Sequence, residues 1–317
     1  MSSGPAEPEL STVWSVVVNW NGGDANLACL ESLVEAGFPA ERIAFVDNAS
    51  SDGSLEQVVD RFPGLVVIRN SENLGFGEGA NQGARRALEQ GASAVLFANN
   101  DVTFPAQTPG QLVALLGAEE RVGVVGPRVL YADPPPRVWC AGGMLTWRQN
   151  LSTLLGHGAR DDQRWRERRD VDYIAGCAML VRREVFDAIG FLEPDYFAYM
   201  EDVDFCVRAK AAGFGVVSAG ELACHHDPSS ATGGGYNPRR KYMQGVNSIH
   251  FLRRHGGTWQ WMRFALFDVL SLPFVWVAGL FRGRHRAVLA KGLGIVHGAL
   301  GRRVTADRLR EGASRLW

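Results

Sequence analysis

Cysteine is scarce in this chain. The five present in 317 residues, Cys29, Cys140, Cys177, Cys206 and Cys224, are scattered, odd in number and free of any C-x-x-C pair. Neither a zinc ribbon nor a disulfide framework is indicated, and a reducing cytoplasm is the expected compartment. Charge excess is also missing: 33 Lys and Arg against 34 Asp and Glu leave a net charge of −1. That balance gives no sign of nucleic acid as a partner. The opening residues, MSSGPAEPEL, lack the basic and apolar regions of a signal peptide, so none is expected. No internal repeat, G-x-G-x-x-G fingerprint or Walker A loop is found. Long apolar runs are limited to FALFDVLSLPFVWVAGLF, residues 264–281, which carries Asp268 and Pro273 and is bracketed by Arg263, Arg282, Arg284 and Arg286. Eighteen residues is the short limit for a membrane span. A helix lying against a bilayer is therefore favoured over a buried core or homodimer helix, and both over a true span.

What is present is an alternation of strands and helices. Continuous apolar runs occur at 14–18 (WSVVV), 43–46 (IAFV), 65–68 (LVVI) and 94–98 (AVLFA). Runs apolar on both faces suit parallel strands covered by helices on both sides. Helical patterns lie between them at 26–36, 55–61 and 80–89. The order β-α-β-α-β-α-β predicts an α/β fold with a mostly parallel, doubly wound sheet. From 105 to 169 the pattern weakens, with short strands expected at 122–125 and 129–131. The run DDQRWRERRD, 161–170, reads as a solvated loop. Apolar order returns at 173–181, and the chain from Tyr242 onward is helical and basic.

Each strand is followed by polar residues: Asn19-Trp20-Asn21, Asp47-Asn48-Ala49-Ser50, Arg69-Asn70 with Asn73, and Asn99-Asn100-Asp101. Any one of these is explained by a turn. Four in succession fit a ligand crevice at the carboxyl ends of the sheet. The stretch NLGFGEGANQG, 73–83, permits close backbone approach and opens a helix whose N-terminus favours anions, but a flexible turn explains it equally well.

Two further stretches carry chemistry. In YFAYMEDVDFCVRAKAAGF, 196–214, three carboxylates stand near a helix start, where the dipole favours them. Asp204 pairs at i+4 with Arg208, which accounts for it. Asp202 shares a face with Phe205, Cys206 and Ala209, and a carboxylate turned toward an interior or cleft needs a partner or a use. Asp202 is therefore the leading functional acid, with Glu201 beside it. In CHHDPSSAT, 224–232, paired histidines precede a glycine run and suit a metal or phosphate site, one histidine acting and the other supporting.

These motifs, with VVVNWNG, VDNASSDGS and AGCAMLVRREVFDAIGFLEPD, occur in an order that resembles family 2 glycosyltransferases, and within them the bacterial rhamnosyltransferase-like group. The resemblance covers residues 13–255. It implies a GT-A fold of residues 13–240, with a nucleotide-binding half at 13–104 and an acceptor half at 105–240. It leaves a flexible start at 1–12 and a basic helical extension at 241–317 that can touch membrane. It implies an inverting glycosyltransferase using Mg²⁺ or Mn²⁺ and a nucleotide-diphosphate sugar, with dTDP-rhamnose suggested by the subgroup. The acceptor would be a glycan, a lipid-linked glycan or a small molecule, as in cell wall or polysaccharide biosynthesis, at the inner face of the plasma membrane if the tail meets lipid. By the same resemblance Asp47 contacts the base, Asn19 and Asn21 lie in the first nucleotide loop, and Asn73, Gly75, Asn81, Asn99 and Asn100 border the donor. Asp101 and His225 would hold the metal, and Asp202 with Glu201 would supply the base. Three positions depart from the pattern: Asn99 replaces an acid, Cys177 a smaller residue and Leu192 an aspartate. Two other readings stand beside this one. A sugar-phosphate nucleotidyltransferase would need a basic first loop, and Asn19-Trp20-Asn21-Gly22-Gly23-Asp24 contains no Lys or Arg. A non-catalytic glycan- or nucleotide-binding module would not need Asp101 and Asp202.

Overall fold

The computed structural model describes residues 9–148, 150–228 and 236–317; the glycine run after CHHDPSSAT and the last residues of that motif lie outside them. The first half follows the expected alternation: β1 (Val13–Asn19), α1 (Ala25–Glu35), β2 (Ile43–Asp47), α2 (Ser54–Arg61), β3 (Val66–Arg69), α3 (Gly75–Glu89) and β4 (Ala94–Asn99). Then come β5 (Val102–Thr103), α4 (Thr108–Ala118), β6 (Val122–Tyr131), β7 (Val138–Cys140), β8 (Gly143–Leu145), β9 (Ser152–Leu154) and β10 (Arg169–Asp170). The chain continues with β11 (Ala178–Arg182), α5 (Arg183–Ile189), α6 (Glu201–Ala211) and β12 (Gly215–His226). Four helices of seven residues or more follow, Pro238–His255, Thr258–Phe264, Leu272–Leu280 and His285–Ala299.

The main sheet runs β10-β12-β6-β11-β4-β1-β2-β3. β3, β2, β1 and β4 are parallel, β11 is antiparallel to both β4 and β6, and β12 is parallel to β6. Strand order reverses beside β1, which opens a crevice at the carboxyl ends there. Register brings the polar ends together: Asn19 lies opposite Asp47, and Val18 opposite Asn99. One apolar layer packs on each face of the sheet, as its two-sided burial requires. Phe251, Leu252, Phe264 and Ile295, from the C-terminal helices, complete one of those layers.

Several elements differ from expectation for identifiable reasons. The four strands lie within one residue of their apolar runs, but α3 begins at Gly75 rather than Ala80. The glycines are part of this helix, whose backbone presses onto β1. A Cβ on Gly83 would lie 2.4 Å from a Val16 methyl, and one on Gly79 3.0 Å from Val18. The two short strands expected after residue 120 are one ten-residue strand, β6. The run 161–170 is not simply solvated, because Asp161 pairs with Arg128 at 3.0 Å, both side chains being buried. At the chain start, Leu10–Thr12 form a 3₁₀ turn, and the Ser93 N–H donates to Thr12.

Gly83→Ala forces a methyl into the β1 side chains, and overpacking of this kind costs about 1–3 kcal/mol. Urea unfolding of the two proteins should show that loss; equal midpoints would contradict the close α3–β1 contact.

Candidate active site

The crevice is organised from the β1 end outward. Asn19 is fully buried. Its amide Nδ2 donates to Asp47 Oδ1 at 2.8 Å, Ser54 Oγ at 2.9 Å and Ser50 Oγ at 3.0 Å. Its Oδ1 accepts from the Gly22 N–H and from Asn100 Nδ2. Gly22 is required there, since a Cβ would stand 2.0 Å from Asn100 Nδ2. Asn100 also donates to Asn26 of α1 at 3.1 Å. Asp47 takes the Ser50 N–H at 3.0 Å on its second oxygen. Asn21 sits exposed at φ 54° and accepts from the Ser51 N–H at 2.7 Å. Of these residues Asn21 faces solvent, while Asn19 and Asn100 spend their amides holding loops together.

The other expected donor-side residues separate in the same way. Asn73 accepts the Gly75 N–H at 2.9 Å at the start of α3. Gly75, at φ 85°, touches the loop before α6: a Cβ there would lie 2.4 Å from the Phe197 carbonyl. Asn81 is a correction. Its amide pairs with both the N–H and the carbonyl of Leu192, at 3.0 and 2.8 Å, and is buried, so it braces α3 against the acceptor half and does not border the crevice. Leu192, an atypical position in sequence, is buried as well. Asn99 is half-buried and its N–H donates to the Cys177 carbonyl at 3.0 Å.

Asp101 follows directly, and here the histidine assignment changes. Successive strand residues face opposite ways. β12 turns His226 toward Asp101, with Nε2 3.1 Å from Oδ1, while His225 lies opposite Thr103 and contributes nothing to that pair. The His226 ring packs edge-on against Trp139 at 4.5 Å between centroids, and the Asp227 N–H donates to the Asp101 carbonyl. Nε2 and Oδ1 are close enough to share a cation. Among the described residues no cluster of three His, Cys, Asp or Glu groups exists to complete a protein-only site. Such a two-ligand arrangement suits a divalent ion whose remaining ligands are diphosphate oxygens and water.

Asp202 is half-buried at the start of α6. Its Oδ2 accepts the Gly176 N–H at 2.9 Å and its Oδ1 the Val203 N–H at 2.8 Å. Burial pushes its pKa up despite these bonds. Glu201 is pushed further, first by burial and then by the charge of Asp202, and its Oε2 is buried without a hydrogen-bond partner. A neutral Glu201 beside an ionisable Asp202 satisfies both facts. The expected i+4 pair of Asp204 with Arg208 is present, and the carboxylate is wholly buried besides. Burial opposes its charge, but His255 at 2.7 Å, Arg208 at 2.7 Å and Arg254 at 3.5 Å outweigh that and hold its carboxyl below the ordinary value. The Cys177 thiol is raised chiefly by burial, and after Cys224 and Cys140 by the charges of Asp101 and Asp202.

Sequence reasoning missed Asn247. From the Pro238–His255 helix its Nδ2 donates to the carbonyls of Tyr196, Ala198 and Tyr199 at 2.9, 2.8 and 2.7 Å. That turn holds Phe197, Tyr199 and Met200 at φ 63°, 68° and 81°, an unfavourable region for side-chain-bearing residues. It leads straight into Glu201 and Asp202. Aromatic residues in a left-handed turn give no periodic signal; only the structure reveals the strain and its clamp.

With this geometry in view, the comparisons with known proteins are concordant. The description Glycosyl transferase family 2 matches residues 15–190, and Glycosyl transferase family group 2 matches 118–294. The N-acetylglucosaminyl-diphospho-decaprenol L-rhamnosyltransferase of Mycobacterium tuberculosis is 28% identical over 270 residues, covering 77% of this chain and 85% of that one. The low-salt glycan biosynthesis hexosyltransferase Agl10 of Haloferax volcanii is 25% identical over 189 residues, 59% of each chain. Among solved structures, GalNAc-T7 with UDP, GalNAc and Mn²⁺ superposes with a TM-score of 0.56 at 15% identity, over 75% of this chain and 50% of that one. The mannosyltransferase PcManGT of Pyrobaculum calidifontis, with GDP-Man and Mn²⁺, gives 0.55 at 15% identity over 93% and 89%. These likenesses confirm the GT-A fold. The match over more than half its length makes the chain a glycosyltransferase that belongs to glycosyl transferase family 2.

Proposed function

We propose that the protein moves a sugar, rhamnose from a nucleoside-diphosphate donor such as dTDP-rhamnose, onto a hydroxyl of a lipid-linked glycan, inverting the anomeric centre with the help of Mg²⁺ or Mn²⁺. The observation that carries this reading is that Asp202, a carboxylate held by two backbone N–H groups, accepts from Gly176, while the carbonyl of the next residue, Cys177, accepts the N–H of Asn99 just before the Asp101–His226 pair. The sugar and acceptor class rest on the Mycobacterium tuberculosis relative, whose name carries both. The metal is supported by the Mn²⁺ in the two solved neighbours.

In this reading the nucleotide occupies the crevice beyond β1, β2 and β4, with Asn21 and Asp47 at its rim. A divalent ion between Asp101, His226 and the diphosphate would offset the charge that grows on the leaving group. Asp202 accepts the proton of the acceptor hydroxyl as that oxygen attacks the anomeric carbon. One C–O bond forms, the bond to the diphosphate breaks, and its electron pair leaves with the phosphate. Direct displacement needs no nucleophile from the chain. Glu201, kept protonated, leaves Asp202 as the one charged acid of the pair.

Three outcomes follow from these roles. Asp202→Asn should lower kcat by roughly 10²–10⁴-fold, the usual worth of a general base, while donor affinity by calorimetry stays the same; normal turnover would remove Asp202 from the mechanism. Asp101→Ala should abolish the part of donor binding that EDTA also removes, and wild-type affinity insensitive to EDTA would count against a metal. Glu201→Gln should leave the acidic limb of the rate profile in place, above the ordinary aspartate range. Because the native protein keeps the Glu201 proton that the unfolded chain releases, wild-type stability is intact below the unfolded glutamate pKa. It declines by about 1.4 kcal/mol per pH unit from there up to the native pKa. Glu201→Gln should decline less steeply in urea titrations, keeping only the part that the raised pKa of Asp202 contributes; an unchanged slope would mean Glu201 is ionised.

A further inference from the structure

The segment Thr258–Leu280 is 23 residues of apolar helix with only 17% of its most apolar window buried. Most of its exposed large side chains fall at steps of three and four, Trp259, Met262, Leu266, Leu270, Phe274 and Val277, with Phe281 just beyond, and Phe267, Val269 and Leu280 widen the exposed face. That spacing is a single helical stripe. Phe274 is 78% exposed and Phe281 88%, values that a soluble surface rarely combines with such length.

The opposite face is fastened to the protein. A π-helical turn at Ala265–Val269 rotates Asp268 inward. There it is buried and ion-paired with Lys291 of the His285–Ala299 helix. The same oxygen accepts the Asn150 N–H at 3.3 Å, and Lys291 donates to Asn150 Oδ1 at 3.0 Å. Phe264 joins the main core. A span would have to withdraw the midpoint of this helix from a buried ion pair and place an acid in hydrocarbon. The helix is therefore built to lie flat.

Charge selects what covers it. Between residues 256 and 306 there are seven Arg or Lys and a single acid, Asp268, which is turned inside. Arg282, Arg284 and Arg286 stand exposed at the end of the stripe, and Arg284 lies over the Tyr236 ring at 4.2 Å. A two-fold contact with a second copy would set this positive rim against itself. An anionic headgroup layer neutralises it while acyl chains receive the stripe. We propose that this face docks in the plane of an anionic phospholipid bilayer, Thr258–Leu280 half-immersed and the catalytic crevice held at the surface. The docking does not depend on which sugar or acceptor the enzyme uses.

The test is flotation of the full chain with vesicles of phosphatidylcholine alone or mixed with phosphatidylglycerol. Wild type should float with the anionic vesicles and be released from them by alkaline carbonate. The double variant Phe274→Glu with Phe281→Glu changes only exposed positions and should lower the bound fraction at least tenfold with an unchanged melting temperature. Arg282→Gln with Arg284→Gln and Arg286→Gln should remove the preference for phosphatidylglycerol. Retention through carbonate would overturn the in-plane arrangement. Equal flotation of wild type and the double glutamate variant would overturn the docking face. A wild type that ignores vesicles and sediments as a dimer, made monomeric by the same glutamates, would assign the face to a second copy.

Discussion

A polar side chain with no access to water must find every partner inside the protein, and at the end of β1 Asn19 finds five. An unmet buried amide costs about 1–3 kcal/mol per lost group. Asp47, Ser50, Ser54, Gly22 and Asn100 are thereby fixed in a single arrangement. The loops after β1, β2 and β4 are members of one hydrogen-bonded unit, and the crevice floor is rigid before any nucleotide arrives. This explains why the sequence spends asparagine, rather than a catalytic acid, at that point: an amide both donates and accepts, so it can join loops of either kind.

The parallel half was legible because its physics is local. An apolar run of four or five residues, bounded by turn formers and apolar on both faces, has few alternatives to a strand in a covered sheet. The helix starting at Gly75 was harder, since glycine disfavours helix and only the nearness of Val16 and Val18 makes it necessary. At the site, Asp101 and Asp202 could be named from motif order. Their surroundings could not. Whether His225 or His226 meets Asp101 is decided by strand parity in β12, which needs the register. Asn81 and Asn100 read as ligand residues because asparagine carries the same donors and acceptors whether it binds a sugar or a neighbouring loop. For Asp204 the pair with Arg208 was legible, but its further partners, Arg254 and His255 of the Pro238–His255 helix, lie far away in sequence.

The surroundings of Glu201 and Asp202 are assembled differently from those of Asn19. Three left-handed residues between Tyr196 and Glu201 form a turn that would not hold itself. It is gripped from one side by the α3 start, where the Phe76 N–H donates to the Phe197 carbonyl at 2.6 Å, and from the other by Asn247. Strain of this kind is stored where the surrounding structure over-determines it. The gripping helix is in turn packed tightly on His285–Ala299, where Gly245 and Gly294 let the backbones meet. The C-terminal helices are thus part of the apparatus that aims Asp202.

The long reach of the Asn247 bonds has a consequence for biosynthesis. They close over 48 to 51 residues, and the Asp204–His255 contact over 51. Chains fold from the N-terminus as they are made. The Asn19 network, whose five partners all lie before residue 101, can form early on the ribosome. The turn that carries the acid pair cannot settle until the helix bearing Asn247 has been synthesised and has docked. A nascent chain therefore sets the loops after β1, β2 and β4 in place well before it can fix the turn that leads into Glu201 and Asp202.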